Sequence, residues 1–159
     1  SFGHENVYLN RFLIHYTPDV ELEEIQEDAA QFLSNLAAIR YALTAGELQE
    51  EEYTEGVRHL VQNGYYPERS GDILLAYDPG YIPGYGDQPD VHTIRGTVHG
   101  SAYNYDTHVP LLWYGKGIPH GSSVRQVHIT DIASTFAMLL NLQIPSGASQ
   151  QPLLELFDK

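Results

Sequence analysis

The sequence predicts an α/β fold, and three observations carry this prediction. Between residues 6 and 78, short runs rich in β-branched and aromatic residues alternate with segments whose apolar residues recur at helical spacing. This alternation is typical of a β-α-β-α-β unit. A stretch rich in Pro and Gly then interrupts the pattern, and a further apolar run and a further helical segment follow it.

The first strand and first helix occupy the beginning of the chain. Asn6–Tyr16 is rich in β-branched and aromatic residues and predicts a strand. Asp19 is the expected N-cap of a helix that ends near Leu36. Glu21, Glu23 and Glu24 support a helix start here, because acidic residues suit the positive end of a helix dipole. The residues expected on its apolar face are Leu22, Ile25, Ala29, Phe32, Leu33 and Leu36.

Two more strands and a second helix complete the predicted unit. Ile39–Leu43 predicts the second strand, and Gly71–Asp78 predicts the third. Between them, Glu50–Asn63 is expected to form an amphipathic helix, with Gly64 as its left-handed stop. Its predicted apolar residues are Tyr53, Val57, Leu60 and Val61.

The remaining residues predict a loop, a strand and a helix. We expect a small α/β subdomain over residues 1–80, a loop over 81–91, and a C-terminal segment over 92–159. Within that segment, Val109–Gly115 predicts a buried strand, and Asp131–Asn141 predicts a helix. Thr130 is the expected N-cap of this helix, and Pro145 and Gly147 are expected to end it. The residues expected to face inward are Ile132, Phe136, Leu139 and Leu140.

Charge and composition exclude several function classes. The chain of 159 residues has a formal net charge of −13, with 16 acidic and 4 basic residues in 1–87 but 5 acidic and 4 basic residues in 88–159. Like charges repel, so nucleic acid and anionic membranes are poor partners for this surface. No run of about 18 apolar residues occurs, so we expect no membrane span. The absence of cysteine excludes disulfides and thiolate chemistry.

The stretch GTVHGSAYNYDTHVP, residues 96–110, concentrates the side chains that carry chemistry. Zinc needs three or four ligands, and this stretch matches no self-contained zinc motif. The stretch, with His99, Asp106 and His108, is expected to supply one ligand or at most two, and the partners would come from elsewhere, with His92, His120 and His128 as candidates within this chain. Gly96 and Gly100 favour close approach of the backbone to a ligand, or a positive φ angle.

The residues alone leave other interpretations open. Thr97 and Ser101 each lie two positions from His99, but a catalytic triad needs a base within hydrogen-bond reach and a third orienting group. Asp78, Asp87 and Asp90 hint at calcium but lack the spacing of an EF-hand. A polar loop whose side chains satisfy one another remains an alternative.

Several segments together resemble a known family. The residues GTVHGSAYNYDTHVPLLWYGKGI, followed by ITDIASTFAMLL and IPSG, closely resemble the C-terminal end of bacterial alkaline phosphatases of the type I phosphodiesterase/nucleotide pyrophosphatase-like branch. YLNR at Tyr8–Arg11 and RSGDILLAYDPGYI at Arg69–Ile82 look like the preceding segment of these enzymes. The resemblance implies a fragment of an α/β sandwich built around a mostly parallel sheet.

The resemblance also implies a chemistry for the parent protein. In that family two zinc ions bind a phosphate ester, and a Thr or Ser attacks phosphorus. His99 matches a ligand of one ion, whereas Thr97, Ser101, Asp106 and His108 match residues expected only to support the site. The nucleophile and the remaining ligands are expected upstream of this chain, so we expect the isolated chain to be inactive and to bind zinc weakly at best. Family membership implies export to the periplasm or cell surface.

Two alternatives to a phosphomonoesterase fragment stay open. One is a member of the same superfamily that acts on phosphodiesters or nucleotide pyrophosphates. The other is a stand-alone α/β binding module without catalysis. A fragment is expected to expose apolar surface around Leu111–Trp113 and Phe136–Leu140, where the remainder of the parent chain or a second copy would dock, whereas an independent module is expected to cover it.

Overall fold

The computed structural model describes residues 2–3, 5–81 and 99–157. These residues belong to two compact units, Ser1–Val109 and Pro110–Lys159. Most of the loop predicted over 81–91 lies outside the described residues, as do His92, Gly96 and Thr97.

The first unit contains a four-stranded sheet. Its strands are β1 (Phe2–Gly3), β2 (Asn6–Val7), β3 (Ile39–Thr44) and β4 (Ile73–Tyr77), in the order β1-β2-β4-β3. The strands predicted over 39–43 and 71–78 are therefore confirmed as β3 and β4. All strand pairs in the described residues are antiparallel, so the parallel sheet implied for the parent fold is not found in this part of it.

The strand predicted over Asn6–Tyr16 is wrong beyond Val7. A short helix, α1 (Arg11–His15), replaces it. The Asn10 side chain accepts a hydrogen bond from the Leu13 backbone N–H at 3.0 Å and so caps this helix. The cap and the absence of a neighbouring strand outweigh the β propensity of Phe12 and Ile14.

The first long helix, α2 (Leu22–Ser34), confirms the helix predicted there, but its N-cap differs. Glu21 occupies the cap position without a side-chain hydrogen bond, whereas Asp19 has a φ of 59° and lies outside the helix. Gln26, Ala30 and Leu33 are its buried residues, and the predicted core residues Phe32 and Leu36 are exposed.

The helix predicted over Glu50–Asn63 is two helices instead. They are α3 (Ala45–Glu50), capped by Thr44, and α4 (Gly56–Gly64). The backbone is extended at Glu51 and Glu55, and Gly56 begins α4 with a φ of 75°, outside the range of a regular right-handed helix, so one continuous helix does not run through this region. Gly64 is the last helical residue and does not have a positive φ, so the predicted left-handed stop is wrong.

The core of the first unit forms two clusters about the sheet. Residues of α2 and the strands make one cluster, which contains Val7, Ala30, Leu33, Ile39, Ala42, Ile73 and Leu75. Leu43, Leu48 and Leu74 make the other, with Val61 of α4 packed against it. Neighbouring residues of β4 belong to different clusters because successive side chains of a strand alternate between faces. Helices therefore cover both faces of this sheet.

In the second unit, helix α6 (Asp131–Leu139) confirms the predicted helix but not its inward face. Of the residues expected to be inward, Phe136 is 50% exposed and Leu140 is 63% exposed. The buried residues are Asp131, Ser134, Thr135 and Ala137. The hydroxyls of Ser134 and Thr135 donate to the Asp131 carbonyl, and Thr135 also accepts from the Leu153 backbone N–H at 2.9 Å.

Helix α6 ends earlier than Pro145 and Gly147 predict. Asn141 has a φ of 51°, and its backbone N–H donates to the Met138 carbonyl. The Leu142 N–H donates to the Ala137 carbonyl at 2.8 Å. These two bonds form a Schellman motif, in which Asn takes the left-handed position usual for Gly. Thr130 occupies the N-cap position, but its side chain makes no capping bond.

The buried strand predicted over Val109–Gly115 does not form in the described residues. The segment has no regular secondary structure, and Leu112 is 86% exposed. It directly follows a single helical turn, α5 (Asn104–Thr107), and His108. The described residues offer the segment no neighbouring strand, and a strand needs one to satisfy its backbone groups.

Candidate functional site

The strongest candidate site is an open groove of about 740 Å³ in the first unit. One wall is α4, with Val57, Leu60 and Val61, and the floor is β4. The other wall is the segment 99–107, which we call the His99 loop. The groove is therefore lined both by apolar residues and by the polar residues singled out in the sequence.

His99 is exposed and lines this groove. Gly100 follows it with a φ of 115°, a conformation that L side chains rarely adopt. The positive φ expected for this glycine is thus confirmed. The exposed imidazole remains accessible to a ligand or to another part of a larger site.

Asp106 organises the His99 loop. Its Oδ2 accepts a hydrogen bond from the Ser101 backbone N–H at 2.8 Å. Hydrogen bonds from the side chain and backbone of Ser101 hold the pKa of Asp106 below its ordinary value, and the charge of His99 lowers it further. Asp106 is therefore a carboxylate at neutral pH, and it lines the same groove as His99.

Tyr103 fixes the His99 loop to the sheet, a contact that sequence reasoning missed. Its hydroxyl donates to the Tyr77 backbone carbonyl at 2.9 Å, and its ring stacks on Tyr105 with 5.8 Å between centroids. Burial is the main cause of a raised pKa for the Tyr103 hydroxyl, so this donor stays protonated. The sequence signal for such a contact was the presence of two tyrosines, Tyr103 and Tyr105, among the polar residues of this loop.

The structure brings together only some of the predicted site residues. His99, Ser101 and Asp106 share the groove. His108 is exposed at the end of α5, and its backbone N–H donates to the Asn104 carbonyl. It does not line the groove, and Thr97 lies outside the described residues.

The described residues do not complete a zinc site. No group of three or more His, Asp or Glu side chains close enough to hold a metal occurs in residues 5–81 and 99–157. His120 and His128, the other described candidates, are exposed residues of the second unit. Asp78 lines the groove, but Asp87 and Asp90 lie outside the described residues, so the calcium alternative gains no support. His99 alone is one ligand of the three or four that zinc needs.

An ion pair joins two of the segments on which the family resemblance depends. Arg11 of the YLNR segment donates through Nε and Nη2 to Asp72 Oδ1, at 2.9 and 2.6 Å. Asp72 is 3% exposed and also accepts from the Leu9 backbone N–H and from Gln26. Four donor groups therefore satisfy one buried carboxylate, which is what a buried charge requires.

Gly71 precedes Asp72 and lies directly against β2. A Cβ atom at this position would lie 2.6 Å from the Val7 carbonyl oxygen. The Gly71 N–H donates to the Asn6 side chain at 2.7 Å, and the Asp72 N–H donates to the Val7 carbonyl at 2.8 Å. The absence of a side chain allows this approach, which holds the beginning of β4 beside β2.

No helix in the described residues is long and apolar enough to cross a membrane.

The fold and groove define a small mixed α/β fragment, and comparison with known proteins identifies its family. The chain is 35% identical over 140 residues, 88% of its length, to alkaline phosphatase PafA of Elizabethkingia meningoseptica. It is also 32% identical over all 159 residues to a calcium-transporting ATPase of Myroides odoratus. A crystal structure of wild-type PafA superposes on 97% of the chain with a TM-score of 0.82 and 34% identity. No protein-family profile matches the chain.

The chain is thus a partial alkaline phosphatase region, as its motifs indicated. It spans only about a quarter of the relatives it matches, namely 24% of PafA and 28% of the calcium-transporting ATPase. It likewise covers 28% of the PafA chain in the crystal structure.

Proposed function

We propose that this chain is the C-terminal portion of a zinc-dependent phosphate-ester hydrolase that acts on phosphate monoesters. The observation that carries the proposal is the agreement with the PafA structure over 97% of the chain at 34% identity. The hydrolysed substrate would be a small phosphate ester, by analogy with the relatives named alkaline phosphatases. Export to the periplasm or cell surface is part of the same proposal.

In this proposal His99 is a zinc ligand. Its exposure, the left-handed Gly100 beside it and the carboxylate of Asp106 in the same groove support this role. Ser101 and Asp106 hold the His99 loop in shape, and Tyr103 ties it to β4. The described residues supply no complete zinc site, and in this proposal the other ligands and the nucleophile belong to parts of the parent protein outside this chain, as the family resemblance implies.

We expect the isolated chain to be inactive. The remaining ligands and the nucleophile are absent from it in this proposal, and one exposed imidazole binds zinc only weakly. Turnover of p-nitrophenyl phosphate by the purified 159-residue chain, lost on His99→Ala, would contradict this expectation.

An independent, non-catalytic module is the weaker alternative. Such a module is expected to bury its apolar side chains, yet Leu112, Phe136 and Leu140 are exposed. A diester or nucleotide pyrophosphate substrate is not better supported by the described residues than a monoester. The relative named a calcium-transporting ATPase makes ATP a necessary substrate in any assay.

A chimera tests the proposed function. The region of PafA that matches this chain is replaced by the 159 residues, and hydrolysis of p-nitrophenyl phosphate, bis-p-nitrophenyl phosphate and ATP is measured together with bound zinc. We expect monoester hydrolysis to fall by more than about 100-fold on His99→Ala, because even residues that only orient metal ligands change affinity or activity about 10- to 100-fold. Zinc content should fall with it.

His108→Ala is the matched control for this experiment. His108 is an exposed histidine of the same segment that does not line the groove. Because the resemblance gives His108 at most a supporting role, zinc content and monoester hydrolysis should fall by no more than about tenfold, which is at least about tenfold less than for His99→Ala. Equal effects of the two substitutions would remove His99 from the proposed ligand set.

A further inference from the structure

Two arginines of the first unit converge on one tyrosine ring. The guanidinium carbon of Arg58 lies 4.6 Å from the centroid of the Tyr41 ring, and that of Arg40 lies 5.6 Å from the same centroid. Arg58 also lies 5.5 Å from the centroid of the Tyr53 ring. An aromatic ring attracts a guanidinium at distances below about 6 Å. The Tyr41 ring therefore holds two positive charges, which are separated by no more than the sum of the first two distances.

A β-bulge in β3 places Arg40 beside this ring. Ile39 pairs with Tyr77 and Tyr41 pairs with Ala76, so Arg40 is an extra residue between these two pairs. Residues 39 and 41 would lie on the same face of a regular strand. Here Ile39 belongs to the core cluster that contains residues of α2, whereas Tyr41 packs against the other cluster. Bulges often re-aim a side chain next to a functional site, and this one brings Arg40 and Arg58 to the same tyrosine.

Neither arginine forms an ion pair within the part of the chain that the structure describes, where the observed ion pairs involve other arginines. Asp78 is near enough for its charge to act on Arg40, but the two residues are not ion-paired. This is unexpected in a region, residues 1–87, that has 16 acidic and only 4 basic residues. Two like charges held close together repel each other, and an anion bound between them would offset that repulsion.

The tyrosine contacts leave the arginines able to bind a ligand. A guanidinium that stacks on a ring keeps its five N–H donors, which lie in its own plane, free for other partners. Among residues 5–81 and 99–157, the Arg58 side chain donates no hydrogen bond. Both arginines are exposed, so an anion can reach them from solvent. Arginine binds a phosphate group through two parallel hydrogen bonds, and restriction by the rings lowers the entropy lost on binding.

The two arginines lie beside the groove of the candidate site. Arg58 directly follows Val57, which lines the groove. Arg40 is near enough for Tyr103 and Asp78, two further lining residues, to act on its charge. The pair therefore forms a local positive patch at the edge of this groove.

We propose that Arg40 and Arg58 together bind the diphosphate group of a small anion. Each guanidinium takes one phosphate group through two hydrogen bonds, and the two phosphate groups share one bridging oxygen. The net charge of −13 opposes the approach of an anion. At physiological ionic strength, however, charges farther away than about 8 Å are largely screened, so the two adjacent guanidinium groups dominate. The inference does not depend on the proposed function, because binding is measured without turnover.

Titration calorimetry of the 159-residue chain with pyrophosphate tests the proposal, at about 0.15 M salt and with a chelator that removes metal ions. Arg40→Gln and Arg58→Gln should each weaken the affinity by about 10- to 100-fold, the range that charge-assisted hydrogen bonds cover. Arg69→Gln is the matched control, because Arg69 lies 4.5 Å from the centroid of the Tyr66 ring. It removes the same charge and should change the affinity by less than about twofold. Equal losses in all three variants would overturn the proposal.

Arg58→Lys separates a specific site from general attraction between charges. Lysine keeps the positive charge but lacks the planar fork that binds phosphate through two bonds. We expect this variant to bind pyrophosphate about tenfold more weakly than the unaltered chain. Full affinity in Arg58→Lys would show that only charge matters, and would overturn the proposal.

Nuclear magnetic resonance of the unaltered chain keeps the test informative if a variant fails to fold. The Nε–H resonances of Arg40 and Arg58 should shift along one binding curve as pyrophosphate is added, whereas that of Arg69 should not shift. Absence of a shift for the first two arginines, or an equal shift for all three, would contradict the proposed site.

Orthophosphate and ADP identify the anion more closely. Orthophosphate should bind at least about tenfold more weakly than pyrophosphate, because it has one phosphate group for two guanidinium groups. Equal affinities would overturn the assignment to a diphosphate. Tighter binding of ADP than of pyrophosphate would identify a nucleotide as the source of the diphosphate group, and equal or weaker binding of ADP would identify free pyrophosphate.

Discussion

At the scale of single residues, buried polar groups with several partners determine how the segments are joined. Asp72 is the clearest example, because its donors come from the segment after β2, from α1 and from α2. Arg11 is itself largely exposed, with 63% of its side chain accessible. Water can solvate the guanidinium if the pair is broken, so most of the cost of losing Asp72 falls on its other donors.

Asp72→Ala should lower the free energy of unfolding of the first unit by about 2–3 kcal/mol, because the Leu9 N–H and the Gln26 amide lose a buried acceptor. Denaturant unfolding followed by circular dichroism measures this loss. Asp28→Ala removes an exposed carboxylate of α2 and should change stability by less than about 0.5 kcal/mol. Similar effects of the two substitutions would show that the buried carboxylate has no special role.

Gly71→Ala should destabilise the sheet by about 2 kcal/mol, because the added methyl group would contact the Val7 carbonyl oxygen and force β2 and β4 apart. Gly46→Ala is the matched control within α3, where the nearest atom is 3.9 Å from the added Cβ. It should stabilise the unit by about 0.5 kcal/mol, because alanine is a better helix former. Thermal unfolding of the two variants should therefore shift in opposite directions.

The His99 loop should lose its order at acidic pH. The pKa of Asp106 is lowered in the folded chain, so its contribution is complete above the ordinary carboxyl pKa of 3.8 and disappears as the pH falls through the lowered value. The Ser101 amide proton should therefore move upfield in NMR spectra over that acidic range. With Asp106→Asn the amide should show no such titration, and a titration that persists would assign it to another group.

At the scale of elements, the sequence predicted the strands and helices that have the clearest apolar patterns. β3, β4, α2 and α6 were predicted close to their observed bounds. Caps were predicted less well, since Asn10 caps α1 through its side chain and Asn141 ends α6 through its positive φ, and spacing shows neither. Helices α3 and α4 are divided by residues 51–55, whose backbone is extended at Glu51 and Glu55, and the apolar spacing of this region does not show that break.

The candidate site was also predicted only in part, because some of its contacts join residues that are far apart in the sequence. His99, Ser101 and Asp106 share one groove, as their closeness in sequence indicated. The contacts of Tyr103 with Tyr77 and of Arg11 with Asp72 join residues 26 and 61 positions apart. A single sequence does not show which distant residue each of these side chains contacts.

Helix α6 allows a test of how its inward face is held. Thr135→Val keeps the size and branching of the side chain but leaves the buried Leu153 N–H without its acceptor. We expect the exchange of the Leu153 amide proton to accelerate by about 10- to 100-fold, which corresponds to about 1–3 kcal/mol. Thr107→Val removes an exposed hydroxyl that donates to the Tyr103 carbonyl and should leave that amide unaffected.

At the scale of the whole molecule, the two units differ in how completely they bury their apolar residues. The four strands and both core clusters lie within residues 1–109. The second unit contains one helix longer than a single turn among its described residues, and Phe136, Leu140 and Leu142 of that region are exposed. The first unit therefore has the buried core expected of an independently folding domain, whereas the described residues of the second unit do not.

A chain that ends at Val109 should consequently unfold cooperatively. We expect its thermal transition, followed by far-ultraviolet circular dichroism, to lie within a few degrees of the first transition of the 159-residue chain, because its core residues are all retained. A peptide of residues 110–159 should show no cooperative transition by itself. A truncated chain without a transition would show that the first unit depends on the second.

The carboxylate of Asp72 has one further consequence, which concerns the order of events when the chain opens. Its partners at Leu9, Arg11 and Gln26 are separate along the chain but share the same acceptor. The amino-terminal residues therefore cannot fray one at a time from the sheet, because the release of this acceptor loosens all three positions together. We expect the beginning of the chain to detach in one step and to expose the edge of β4 as it leaves.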